Sequence, residues 1–196
     1  MKVKICGITN LDDALHAVAC GADALGFVFY KHSPRYIAPE AARHIVEALP
    51  PFVERVGLFV NETQAHIEST CQQTGMSRAQ LHFDIDETFL DGFSVATLPV
   101  VRAATQDDVT RFAPRYRLVD AFCESYGGSG KRLNLEWFEG VDCSRIVLAG
   151  GLTPDNIKEL RGYGFYGVDV SSGVEATKGK KDPRKVEAFI RDAKAL

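Results

Sequence analysis

The sequence predicts an α/β chain folded as a single, compact (β/α)8 barrel domain over 1–196, and three observations carry that prediction. Short β-branched or apolar runs alternate with amphipathic stretches from end to end, the order expected of βα units that feed one parallel sheet. Eight such runs are found. Glycine-rich segments follow the seventh and eighth, where barrels of this kind commonly bind phosphate. A doubly wound open sheet is the architectural alternative.

The strands are expected at Val3–Cys6, Ala24–Phe29, Arg55–Val60, Ala79–Phe83, Leu98–Ala103, Arg117–Phe122, Arg145–Ala149 and Gly167–Ser171. The clearest helix is the last, where Val186, Phe189, Ile190 and Ala193 fall at i, i+3, i+4, i+7 behind Pro183. Another is expected over Leu11–Cys20, with Thr9 and Asn10 as cap candidates and Gly21 as its stop. A third runs from Pro39 to Leu49 and is ended by Pro50-Pro51. Thr153-Pro154-Asp155 predicts the start of the seventh helix, with Thr153 as its cap. Asp84–Ser94 and Gln106–Pro114 carry little pattern, and the second has room for a short helix only. The 196 residues give eight units about 24 residues each. Barrels of this type typically have roughly 250 residues, so several helices or loops must be short.

Composition narrows the function. A hydrophobic content of 45% suffices for one buried core. With 23 Lys+Arg against 26 Asp+Glu, the net charge is −3 and no basic excess exists to neutralise a nucleic-acid backbone. Cys6, Cys20, Cys71, Cys123 and Cys143 are scattered and never spaced as a zinc or redox pair, which favours a reducing, cytoplasmic setting. Neither a leader nor a membrane-spanning run is expected. The triplet Asn61-Glu62-Thr63 matches a glycosylation acceptor but is discounted as chance.

In such a barrel the reacting groups sit at the C-terminal ends of the strands. Alternation along the first strand puts Lys4 and Cys6 on the interior face, with Ile5 toward the helices. The Lys4 ammonium and nearby helix N-termini favour the thiolate, which makes Cys6 a usable base or nucleophile; the alternative is a small buried hydrophobe. Ser33-Pro34-Arg35-Tyr36 is a stiff loop able to hold Arg35 over the mouth, where its planar fork suits a carboxylate. Gln80 and His82 share one face of the fourth strand, and a histidine there more often serves as a structural hydrogen-bonder than as a catalyst. Asp120 ends an apolar strand and needs a partner or a task, so it is an acid/base candidate. Tyr126 to Lys131 form a Gly-rich loop of the kind that closes over a substrate. Gly150-Gly151 and Ser171-Ser172-Gly173 expose backbone N–H and hydroxyl donors to an anion, and a short helix near Gly173 is expected to aim its positive end there.

These segments also carry a resemblance. Lys4-Ile5-Cys6-Gly7-Ile8-Thr9, Gly26-Phe27-Val28-Phe29 before Ser33-Pro34-Arg35-Tyr36, Gly57-Leu58-Phe59-Val60-Asn61, Gln80-Leu81-His82, Tyr126-Gly127-Gly128-Ser129-Gly130-Lys131, Gly150-Gly151-Leu152 and Asp169-Val170-Ser171-Ser172-Gly173-Val174-Glu175 follow one another in order. In these blocks the chain resembles the phosphoribosylanthranilate isomerases of tryptophan biosynthesis along nearly its whole length. The resemblance implies a cofactor-free Amadori rearrangement of a small phosphorylated aminosugar, with no metal. It implies Cys6 as general base, Asp120 as general acid and Arg35 as the contact to the anthranilate carboxylate. Gln80, His82 and Asp169 are expected around the substrate, and Gly150, Gly151, Ser171, Ser172 and Gly173 around its phosphate. Two positions depart from the family's pattern: Phe83 stands where glycine is common, and Leu135-Glu136-Trp137 where Phe-Asp-Trp is. The sister isomerase of histidine biosynthesis resembles a two-aspartate site, and Cys6 counts against it. A non-catalytic phosphosugar-binding barrel would keep the phosphate loops, but both Cys6 and Asp120 are present. A Schiff-base aldolase would need a reachable lysine, and Lys4 lies deeper than Cys6. Monomer and homodimer both fit the fold.

Overall fold

The structure is a computed structural model and describes residues 1–121 and 132–196. The Gly-rich loop from Tyr126 to Lys131, together with Phe122 and Cys123, lies outside the described residues. Eight parallel strands close into a barrel in chain order: β1 (Lys2–Cys6), β2 (Ala24–Val28), β3 (Glu54–Phe59), β4 (Arg78–Leu81), β5 (Ala96–Ala103), β6 (Arg117–Ala121), β7 (Ile146–Leu148) and β8 (Gly167–Val170). The closed order excludes the open-sheet alternative. Closure is made by β8 against β1, with Lys4 in register with Asp169.

Strand alternation sorts the side chains into two layers. Ile5, Leu25, Phe27, Phe59, Leu81, Val101, Val119, Leu148 and Val168 point outward and form the main core beneath the helices. Inside the barrel, Leu98, Val100, Leu118 and Ala149 make a separate apolar cluster. The polar residues Lys4, Gln80, Asp120 and Asp169 occupy the same inward phase, so the barrel interior is chemically divided.

The helices are unevenly distributed. α1 (Leu11–Ala19) follows β1 and is capped by Asn10, whose Oδ1 accepts the Asp13 N–H at 2.9 Å. Thr9 is not the cap; its hydroxyl donates to the Gly179 carbonyl instead. α2 (Pro39–Glu47) buries Ala42, Ile45 and Val46. α3 (Gln64–Thr74) is capped by Thr63, the last residue of the discounted glycosylation triplet. α4 (Pro183–Lys194) buries Val186, Phe189, Ile190 and Ala193, and Asp182 Oδ1 accepts the N–H groups of Arg184 and Lys185. A cap of this kind contributes about 1 kcal/mol. Full burial of Phe189 contributes roughly 1.5–3 kcal/mol.

The second half of the barrel is where the chain saves length. Among the described residues, the connections after β4 to β7 carry single 3₁₀ turns, at Thr88–Leu90, Asp107–Thr110, Leu135–Phe138 and Ile157–Leu160. The seventh helix expected from Thr153 is therefore only a turn. Asn156 organises it: its Oδ1 accepts the Thr153 N–H and its Nδ2 donates to the Gly151 carbonyl, each at 2.9 Å. After β8 a 3₁₀ turn, Ser172–Val174, leads into a hairpin of β9 (Glu175–Thr177) and β10 (Lys180–Lys181) that was not expected from the sequence. Among the described residues no helix is long and apolar enough to cross a membrane.

Candidate active site

At the C-terminal mouth of the barrel a cavity of about 90 Å³ is lined by Cys6, Arg35, Gln80, His82, Asp120, Asp169 and Ser171, with Tyr30, Pro34 and Leu58 among its walls. Ligand pockets usually measure about 300–1,000 Å³, so this space is smaller than a whole ligand needs. A larger cavity of about 620 Å³ opens at the opposite end, among the strand starts and the loop of Phe52, away from these groups.

Cys6 ends β1 on the inward face and is buried. The space for its thiol is made by Gly26, its register partner on β2: a Cβ there would lie 2.7 Å from Cys6 Sγ and 2.9 Å from Lys4 Nζ. Lys4 Nζ donates to Asp169 Oδ1 at 2.7 Å, and the pair is almost wholly enclosed. Burial disfavours the Lys4 charge, but Asp169 and the Cys6 thiol outweigh that effect and raise its pKa. The expectation that Lys4 would make Cys6 a thiolate is corrected here. Burial pushes the thiol pKa up, and the lowering by Lys4, opposed by Asp169, does not offset it.

On the far side of β7 and β8 from Cys6, Asp120 projects inward from β6, with Oδ1 accepting the Ala121 N–H at 2.8 Å. Burial first, and then the Asp169 charge, push its pKa up to about 7. His82, just beyond β4, is lowered to about 4 by burial and by the charges of Arg102 and Lys4. It is neutral near pH 7, so its Nε2, 3.8 Å from Asp120 Oδ2, makes no ion pair there. Gln80 Nε2 lies 3.4 Å from His82 Nδ1. Gln80 Oε1 and Ser171 Oγ are buried without hydrogen-bond partners among the described residues, and both residues line the cavity.

Arg35 is held by Glu175, Nε to Oε1 and Nη2 to Oε2, both at 2.7 Å. Lys181 Nζ donates to the same Oε1 at 3.2 Å. Glu175, Lys181 and Arg102 carry no local sequence signal that marks them as site residues. Lys181 stands in a run of charged residues that reads as a solvated loop, and nothing local marks it as buried.

The phosphate candidates form a second group. Gly150 and Gly151 follow β7, and Ser172 and Gly173 follow β8; none of these four lines the cavity. The two loops are pressed together at Gly173, where a Cβ would fall 1.8 Å from the Leu152 carbonyl oxygen, so glycine is the residue that fits. The expected short helix is a three-residue 3₁₀ turn, too short to carry a helix dipole.

Residues 3–192 match the family described as N-(5'phosphoribosyl)anthranilate (PRA) isomerase. An N-(5'-phosphoribosyl)anthranilate isomerase of Sulfurovum sp. (strain NBC37-1) is 71% identical over 196 residues, covering 100% of both chains. The crystal structure of the phosphoribosyl anthranilate isomerase from Thermotoga maritima superposes with a TM-score of 0.90 at 41% identity, covering 100% of both chains. A phosphoribosyl anthranilate isomerase solved in complex with reduced 1-(o-carboxyphenylamino)-1-deoxyribulose 5-phosphate superposes with a TM-score of 0.85 at 40% identity and full coverage of both. With this fold, this cavity and these full-length likenesses, the chain belongs to the phosphoribosylanthranilate isomerases, the isomerases of N-(5'-phosphoribosyl)anthranilate in tryptophan biosynthesis.

Proposed function

We propose that Asp120 and Cys6 divide the isomerisation between them as general acid and general base. One observation carries this assignment: a carboxyl group poised near neutrality and a thiol share one enclosed cavity, approached from different strands. Asp120 gives its proton to the ribose ring oxygen as the C1–O bond breaks, and the anilino nitrogen lone pair forms the C1=N bond of the Schiff base. The Cys6 thiolate then takes the C2 proton, and the C–H electron pair forms C1=C2 while nitrogen recovers its lone pair. The resulting enolamine tautomerises to 1-(2-carboxyphenylamino)-1-deoxyribulose 5-phosphate. Asp169 and neutral His82 border the reacting carbons, and the orphaned Gln80 and Ser171 oxygens suit sugar hydroxyls.

The ligand of the solved relative carries a carboxyphenyl group and a phosphate, which supports two anchors at opposite ends of the substrate. Arg35 receives the carboxylate. Backbone N–H groups around Gly150, Gly151, Ser172 and Gly173 receive the phosphate, with Ser171 between the two regions. The whole chain acts as one barrel domain. Its cysteines Cys6, Cys20, Cys71 and Cys143 are free thiols, which supports a reducing, cytoplasmic setting. The direct test is the loss of anthranilate fluorescence when purified protein meets freshly made N-(5'-phosphoribosyl)anthranilate. Turnover that survives in both Cys6→Ala and Asp120→Ala would overturn the assignment.

A further inference from the structure

The Arg35, Glu175 and Lys181 side chains form a buried cluster at the rim of the cavity. Glu175 meets the guanidinium side-on, through Nε and Nη2. A guanidinium is planar and presents two such edges, so this leaves the Nη1 edge, with the outer N–H of Nη2, as a second fork of the same shape. The hairpin supplies the rest of the frame. Lys181 sits opposite Glu175 in the β9–β10 register, Lys181 Nζ also donates to the Ser171 carbonyl at 3.2 Å, and the Gly179 N–H donates to Glu175 Oε1 at 3.3 Å.

The charges point the same way. Two cations and one carboxylate leave this enclosed cluster with one positive charge in excess, an arrangement that burial disfavours until an anion completes it. A carboxylate on the outer edge of Arg35 would do so and would make a second bidentate pair.

We propose that Glu175, steadied by Lys181, is the positioning residue for the aryl carboxylate: it locks the Arg35 plane so that the outer edge receives that group, and thereby sets the preference for ortho-carboxylated N-aryl substrates. This rests on the Arg35 contact proposed above. Glu175 itself touches Arg35 and not the substrate, so its removal should change selectivity rather than chemistry.

The test compares kcat/KM for N-(5'-phosphoribosyl)anthranilate and for N-(5'-phosphoribosyl)aniline, which lacks the carboxylate, in the native protein and in Arg35→Ala, Glu175→Gln and Glu175→Asp. Glu175→Asp keeps the charge beside Lys181 but retracts the fork by one methylene, so it serves if Glu175→Gln does not fold by circular dichroism. Both Glu175 variants should lose about tenfold or more on the carboxylated substrate, mainly through KM, and leave the aniline analogue unchanged. Equal losses on both substrates, or an undiminished preference for the carboxylate, would overturn the proposal. Arg35→Ala separates the two readings. If it abolishes the preference while the Glu175 variants keep it, the positioning role alone is overturned; if it too keeps the preference, the Arg35 contact is overturned and the positioning role with it.

Discussion

His82 Nε2 stands 3.8 Å from Asp120 Oδ2, and the pair is a neutral imidazole facing a carboxyl group near half ionisation rather than a salt bridge. Burial disfavours charge on both groups and so holds Asp120 where it can still carry a proton at neutral pH.

A definite pH profile follows. The active form has Asp120 protonated and Cys6 ionised, and it is one of two singly protonated states of the pair that interconvert at a fixed ratio. kcat/KM should rise with pH through about 7, where the doubly protonated site loses its first proton. It should then run level and fall above the ordinary thiol range of about 8.5. In Asp120→Asn the residual rate should instead climb through the thiol titration, with no limb near 7. An unchanged lower limb in that variant would assign it to another group.

Gly26→Ala should damage the site without touching substrate. Its Cβ would lie 2.7 Å from Cys6 Sγ and 2.9 Å from Lys4 Nζ, so the thiol or the Lys4–Asp169 pair must move. Overpacking of this kind costs about 1–3 kcal/mol in stability. Urea unfolding measures that loss, and kcat should fall about tenfold or more because small misplacements of reacting groups are severe. Native activity in a folded Gly26→Ala would show that the thiol position is not critical.

How much of this was legible in the sequence depended on the range of the interactions involved. All eight strands fall within a few residues of their expected limits, because each is a short β-branched or apolar run, a signal carried by its own segment. The connections after β4 to β7 are harder to read, since among the described residues each holds one 3₁₀ turn and no amphipathic run marks it. Cys6, Asp120, Gln80, His82 and Arg35 are readable as strand-end or stiff-loop residues. The role of Glu175 is not, because its partner Arg35 is 140 residues away in the chain. The state of the Cys6 thiol differs from the expectation for a similar reason: Lys4 is visible two residues away, whereas the burial that outweighs it is contributed by the whole barrel.

Gly173→Ala tests the phosphate region separately. The added methyl group would collide with the Leu152 carbonyl, forcing apart the loops after β7 and β8. The inhibition constant for inorganic phosphate should rise about tenfold, with the Asp120 limb of the pH profile retained. Undiminished phosphate inhibition would place the anion elsewhere.

The division of labour between Cys6 and Asp120 is tested most directly by the isotope effect on kcat with substrate deuterated at C2, measured in Cys6→Ser and in Asp120→Asn. Each variant should lose roughly a hundredfold or more in kcat. A serine hydroxyl is hardly ionised near neutral pH, so in Cys6→Ser proton abstraction should limit and the isotope effect should grow. The carboxamide of Asp120→Asn cannot protonate the ring oxygen, so there ring opening should limit and the label should matter little. Full activity in Cys6→Ser, or a large C2 effect confined to Asp120→Asn, would contradict the assignment of base and acid.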